Sequence, residues 1–359
     1  MRNLYDRITP NFILEMIERS SAKKRKRPDV MNVLNNKEAC ADKIYWMLVG
    51  KNFEFNKHIE CDRYDPHSKK TRHLMMPRYY PDHIIHWCYV QMMMPLFRRG
   101  MYQHTYGSIP GRGPGRARRQ VRAWIDKDTH NTQYVMEADI RKFYESIPQD
   151  KLIASVRRVC ADKDAMWLTE KIIHSVPSGL PIGDYFSPWL GNFYLQGLDH
   201  YIKEVCHVKY YIRYMDNLLL FSESKEHLQR TMGMVTEYIH GLGLSFNSSR
   251  QVYPLEPRGV DFLGVVFHKD YSKMRARNFL AFTRQARVLR GRVDSGEEIS
   301  LHEAMSIGCR VEVVKRGNCY NILNKYFPDD YIMEMRRITS KMMKKRNAKG
   351  AKKNEVYPT

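Results

Sequence analysis

One dozen residues constrain this chain more than any other: Tyr210-Tyr211-Ile212-Arg213-Tyr214-Met215-Asp216-Asn217-Leu218-Leu219-Leu220-Phe221, two apolar runs joined through an Asp-Asn pair. Aromatic and aliphatic flanks suit a pleated strand, and Asp and Asn suit a tight turn. The pattern predicts a β-hairpin with Asp216 and Asn217 at its turn and the Asp216 carboxylate lifted clear of the sheet. Upstream, Val135-Met136-Glu137-Ala138-Asp139 reads as a second strand ending in a carboxylate, with a helix start just beyond. Two carboxylates at strand ends, distant along the chain, suit a pair of hard divalent cations.

Charge narrows the partners. The 359 residues carry 60 Lys and Arg against 39 Asp and Glu, a formal net charge of +21. Self-repulsion of that size opposes compaction unless a polyanion relieves it, which points to nucleic acid. The positive residues cluster at Lys23 to Arg27, at Arg112, Arg116, Arg118, Arg119 and Arg122, between Arg275 and Arg292, and from Lys341 to Lys353. The seven cysteines are scattered and odd in number, so no disulfide scaffold is expected and a reducing cytoplasm fits best. His58, Cys61 and His67 lack the paired spacing of a zinc site and read as surface side chains. No apolar run approaches the length of a bilayer span, so no membrane partner is expected.

Periodicity divides the chain. Leu4, Ile8, Phe12, Ile13 and Met16 form a helical stripe in an N-terminal region broken at Pro28, and the Met-rich run from Ile84 to Phe97 reads as a buried helix whose methionines fill core. Helices are predicted over 151–174 and 225–242, and strands over 134–139, 209–222 and 260–268. After Lys273 the pattern is helical and basic, with Phe279, Phe282, Val288 and Leu289 as core positions beside Arg284, Arg287, Arg290 and Arg292.

The order of these motifs resembles the palm of a reverse transcriptase. Asp139, Ile140 and Tyr144 match that family's first motif. Gly179-Leu180-Pro181-Ile182-Gly183, leading to Ser187, is similar to its second, and Tyr214, Met215 and Asp216 match its third. Phe262-Leu263-Gly264 resembles the primer grip. Arg72, Asp82, His86 and the run from Tyr106 to Gly113 resemble the fingers of bacterial enzymes of the group II intron and diversity-generating retroelement type. The resemblance implies an α+β right-hand polymerase fold: an N-terminal helical extension over 1–60, fingers over 61–133, a palm with an antiparallel sheet over 134–268 that holds part of the fingers, a helical thumb over 269–340 and a basic disordered tail over 341–359.

It also implies roles. Asp139 and Asp216, with the Ile140 carbonyl, would hold two Mg²⁺ ions, with Mn²⁺ as an alternative. Arg72, Tyr144, Ile182 and Gly183 would line the dNTP pocket, Tyr144 as the gate against a 2′-hydroxyl. Ser187, Tyr214, Phe262, Leu263, Gly264, Arg112, Arg284 and Arg287 would meet an RNA template and a DNA or RNA primer. Asn217 stands where the family usually has a second Asp, and Arg250 substitutes for the Lys expected to act as general acid on pyrophosphate. Ile182 matches diversity-generating retroelement enzymes, which would add a small basic accessory protein as partner; Pro188 after Ser187 does not match them. Three readings stay open: a retroelement RNA-directed DNA polymerase, an antiphage defence reverse transcriptase with an unusual template or primer, and a nucleic-acid-binding scaffold impaired in catalysis.

Overall fold

The computed structural model of the chain describes residues 4–65, 70–316 and 319–354, and its contacts divide it into two compact units that meet at Pro254 and Leu255. The first unit opens on helices α1 (Pro10–Ser21), α2 (Pro28–Asn35) and α3 (Lys37–Gly50). Thr9 starts α1 by accepting the Phe12 N–H, with Pro10 at the first helical position where its missing N–H costs nothing. Leu4, Ile8, Ile13 and Met16 are buried, as the stripe predicts.

Strands β1 (Ile59–Asp65) and β2 (Lys70–Met76) then form an antiparallel hairpin that hydrophobic patterning did not reveal. None of its described side chains is buried, and the adjacent Leu74 and Met75 are both half-buried, so no alternation marks it. Helix α4 (Ile84–Arg99) is the expected buried helix, with Met92 and Met93 fully enclosed. Next come β3 (Thr105–Tyr106), α5 (Pro114–Lys127), β4 (Tyr134–Asp139), α6 (Phe143–Ser146), α7 (Gln149–Arg157), α8 (Lys163–Ile173), α9 (Ser187–Tyr194), α10 (Gln196–His200), β5 (Tyr210–Tyr214), β6 (Asn217–Ser222), α11 (Lys225–Gly241) and β7 (Gln251–Pro254). Five strands pair in the order β3-β5-β6-β4-β7; all neighbours are antiparallel except β3 with β5. Leu218 and Leu220 on one face of β6 join Met136 and Ala138 of β4 in a single core that continues through α4, α7, α8, α9 and the N-terminal helices. The three regions expected as extension, fingers and palm thus share one interior.

The second unit holds a three-stranded antiparallel sheet of β8 (Val260–Phe262), β9 (Val265–Phe267) and β10 (Ser272–Met274), then helices α12 (Ala276–Asp294), α13 (Leu301–Arg316), α14 (Tyr320–Tyr326) and α15 (Asp329–Asn354). Two expectations change here. The 260–268 strand, assigned to the palm, belongs with the C-terminal helices, because its ladder runs to β10 and not to the five-stranded sheet. The tail expected to be disordered from 341 is helical in α15 as far as Asn354, and residues 355–359 lie outside the described residues. Ile332 and Met335 anchor the start of that helix, and adding Lys, Met, Arg and Ala residues to an existing helix costs far less than nucleating one. Phe282 and Leu289 are buried as expected, whereas Val288 is 61% exposed.

All seven cysteines are free, and no described helix is long and apolar enough to cross a membrane.

Candidate active site

The site is built where β4 ends beside the β5–β6 turn. Asp139 stands directly opposite Asn217 in the β4–β6 ladder, and Tyr214 pairs with Asn217 in the β5–β6 ladder. The turn residues are therefore Met215 and Asp216, one place earlier than the Asp-Asn pair the sequence suggested. Met215 takes a left-handed φ of +56° that is uncommon for a long side chain. The shift leaves Asp216 at the tip, half-buried, and places Asn217 exposed as the first residue of β6.

Backbone hydrogen bonds lock the two strand ends together. The Ile140 N–H donates to the Asp216 carbonyl at 3.1 Å. On the other side, the Asn247 N–H donates to the Asp139 carbonyl at 2.8 Å and the Arg141 N–H to the Ser245 carbonyl at 2.8 Å, so residues 245–247 run antiparallel to 139–141. The Asn247 side-chain amide also donates to Asp139 Oδ2. Asn247 was not among the residues the sequence singled out; a polar residue just after Phe246 was its only signal.

Burial first, and then the Asp139 charge, push the Asp216 carboxyl up to about 6, while Arg72 and Arg213 pull it down. Each carboxylate is therefore in the field of the other, and a cation between them would relieve the repulsion. Among the described residues no group of three or more His, Cys, Asp or Glu side chains is arranged to hold a metal. The donor set is two carboxylates plus backbone oxygen, which suits a hard cation that fills its shell with water and phosphate.

Around this pair lie the other predicted pocket residues. Arg72, exposed on β2, lies within electrostatic reach of both Asp216 and Tyr144. Strand β2 docks on the Gly-rich loop through the Met75 N–H, which donates to the Ile182 carbonyl at 2.8 Å. At Gly183 the φ is +132° and a Cβ would lie 2.8 Å from the Met75 carbonyl oxygen, so only glycine permits this approach. Tyr144 is half-buried, its phenol pushed up by burial and by Asp216, while its neighbour Phe143 fills the core at 3% exposure. A Cβ on Gly191 of α9 would meet both rings, at 2.9 Å from Phe143 and 3.3 Å from Tyr144.

Other predicted contacts are spent elsewhere. Ser187 is buried and its hydroxyl donates to the Pro181 carbonyl at 2.7 Å, so it braces the loop instead of facing a template. Arg112 is half-buried and donates to the Tyr102 carbonyl at 2.9 Å. Tyr214 is half-buried at the end of β5, and Arg250 is exposed just before β7. In the second unit, Leu263 and Gly264 have φ of +50° and +87° and form the expected tight β8–β9 hairpin, with Phe262 buried. Arg284 and Arg287 are exposed on α12, Arg287 lying 5.1 Å from the Tyr326 ring.

His58 differs most from its expected place on the surface. Its side chain is 7% exposed and its Nε2 lies 3.0 Å from Asp184 Oδ2, the residue after Gly183. That bond holds its imidazole above the usual value. Asp82, quoted from the fingers pattern, is buried and takes the Asn56 amide, and His86 sits 3.8 Å from Asp184. Cys61 lies on β1, and His67 is outside the described residues.

Residues 83–267 match the model described as "Reverse transcriptase (RNA-dependent DNA polymerase)". Protein YkfC of Escherichia coli is 28% identical over 134 residues, covering 34% of this chain and 35% of that protein. An uncharacterized 91 kDa protein in the cob intron of Schizosaccharomyces pombe is 28% identical over 127 residues, covering 32% and 16%. The aligned stretch is thus about a third or less of either relative. Apo telomerase from Candida tropicalis superposes with a TM-score of 0.49 at 9% identity, covering 80% of this chain and 61% of that one.

Proposed function

The chain belongs to the reverse transcriptase (RNA-dependent DNA polymerase) family, the matched segment spanning more than half of its 359 residues, and we propose that it extends a primer 3′-hydroxyl with dNTPs on an RNA template, with Asp139 and Asp216 holding two Mg²⁺ ions. The observation that carries this reading is that Asp139, opposite Asn217 in the β4–β6 ladder, stands beside the turn that carries Asp216, whose carboxyl is raised to about 6 by burial and by the Asp139 charge. Divalent cations held there would neutralise the triphosphate and favour an ionised 3′-hydroxyl.

The chain's own residues supply binding and selection. Arg72 would take the triphosphate charge on a strand fixed by the Met75–Ile182 hydrogen bond. Tyr144 would lie under the sugar, where a phenol ring clashes with a 2′-hydroxyl. Arg250 would face the leaving pyrophosphate, where a guanidinium offers charge and forked hydrogen bonds.

Ile182 favours a diversity-generating retroelement as the setting, with a small basic accessory protein as partner; an antiphage role with an unusual template or primer uses the same site. Asn217 supports a second reading, a nucleic-acid-binding scaffold impaired in catalysis, because an amide opposite Asp139 adds no charge to attract a cation.

Primer extension on an RNA template with Mg²⁺ and dNTPs tests the proposal. Synthesis by the wild type and its loss in Asp139→Ala and Asp216→Ala are expected; wild-type rates in both variants would end it. Sequencing nucleic acid that copurifies with the protein identifies the template.

A further inference from the structure

The most completely satisfied buried charge pair in the first unit lies behind the catalytic turn. Arg213 of β5 and Asp199 of α10 are both 0% exposed and 2.7 Å apart. Asp199 accepts from Arg213 Nε and Nη2, from the Tyr211 hydroxyl at 2.7 Å and from the Thr105 hydroxyl at 2.9 Å. The remaining guanidinium nitrogen, Nη1, donates to the Met215 carbonyl at 2.8 Å and to Asn192 Oδ1 at 3.0 Å. Desolvating two charges costs more than their attraction commonly returns, so a pair of this kind is not explained by stability alone.

What the pair holds is the residue before Asp216. Met215 is the left-handed member of the turn, and it is gripped at every polar point. Its N–H donates to the Tyr106 carbonyl at 3.0 Å, and its carbonyl takes Arg213 Nη1. Its thioether lies 3.6 Å from Asn192 Nδ2, and it packs so closely on Gly107 that a Cβ there would come within 2.7 Å of its Cγ. A long side chain at φ +56° is strained and persists only where its surroundings over-determine it.

We infer that Arg213, oriented by Asp199 and Asn192, is a positioning residue that holds the Met215 carbonyl and so aims the Asp216 carboxylate at Asp139, setting the affinity of the pair for divalent cations. The inference rests on the proposed cation site at those two carboxylates. An Arg is required because one planar fork must reach Asp199 on one edge and the Met215 carbonyl on the other. A Lys ammonium keeps the charge beside Asp199 and loses the second reach.

Direct Mn²⁺ binding to the full-length protein, followed by electron paramagnetic resonance without substrates, tests this apart from activity. Asp216→Ala checks the underlying site: wild-type binding in that variant refutes the cation site, and with it the inference. Given that site, Arg213→Lys should melt within a few degrees of the wild type and need at least fivefold more Mn²⁺ for half-saturation. Adding Met215→Asn, which tolerates the left-handed turn, should recover most of the loss. A folded Arg213→Lys protein with the wild-type binding curve overturns the inference, as does failure of Met215→Asn to recover any affinity. If Arg213→Lys does not fold, Asn192→Asp keeps the acceptor for Nη1 and Asn192→Ala removes it, while both lose the amide contacts to the Met215 thioether and the Gly107 carbonyl: half-saturation at least threefold higher in Asn192→Ala than in Asn192→Asp supports the inference, and equal curves overturn it.

Discussion

Replacing Gly183 by alanine tests how the loop over 180–183 holds the strand that carries Arg72. The new Cβ would stand 2.8 Å from the Met75 carbonyl oxygen, a backbone atom, at a φ of +132° that side-chain-bearing residues rarely adopt. If the loop twists, the strain costs about 1–3 kcal/mol. Losing the adjacent hydrogen bond from the Met75 N–H to the Ile182 carbonyl adds about 1 kcal/mol. If β2 moves away instead, Arg72 moves with it, and a charge-assisted contact to phosphate is worth about 1.5–3 kcal/mol, or roughly 10–150-fold in binding. The expected variant folds, melts about 4–10 °C lower in its first unit, and shows a KM for dNTP raised at least tenfold with kcat changed less. Adding Arg72→Ala to it should raise KM little further, because both changes remove one contact. Steady-state primer extension and calorimetry read these values. A KM within twofold of the wild type, with an unchanged melting temperature, would show that this approach does not hold β2.

Other outcomes follow from the same coordinates. His58→Ala leaves Asp184 buried without its imidazole and should cost about 3 kcal/mol. Because the His58 value is raised above 6.5, its contribution is full below 6.5 and lost as pH rises through the folded value, so the gap between wild type and variant in chemical denaturation should shrink at alkaline pH. Asp216 is raised from 3.8 to about 6, so the metal-free fold prefers it protonated, and its charge destabilises above that pH by roughly 2–3 kcal/mol. Asp216→Asn should therefore stabilise the metal-free protein at pH 7.5 and not at pH 4, and equal midpoints at pH 7.5 would count against the burial argument. Asn217→Asp adds a carboxylate opposite Asp139 and should lower the Mg²⁺ concentration needed for half-maximal synthesis several-fold; an unchanged requirement would mean that position 217 lies outside the cation shell.

Much of the site was legible because its signals are local. A strand ending at Asp139 shows in five consecutive residues, the hairpin in its two apolar arms, and the β8–β9 turn in Leu263 and Gly264. Local patterning faltered where two strand choices differ by a single residue. The Met215-Asp216 turn sits one place before the Asp-Asn pair because Tyr106 of β3 and the Arg213 guanidinium grip Met215. Ser187 and Arg112 are expected as nucleic-acid contacts from the family resemblance, and neighbouring carbonyls accept from both.

The amino-acid order by itself determined most of the segments that pleat or coil, where the carboxylates fall at strand ends, and a net charge of +21. Alternation and helical spacing act within a few residues, so they write those properties directly. Tertiary structure alone decided that Asn247 reaches Asp139, that His58 is buried against Asp184, that β2 docks on the Gly183 loop, and that Arg213 and Asp199 meet behind the turn. Each of these joins side chains or backbone from separate elements. Such meetings depend on how whole helices and strands pack, and no periodicity along one segment records its distant neighbour.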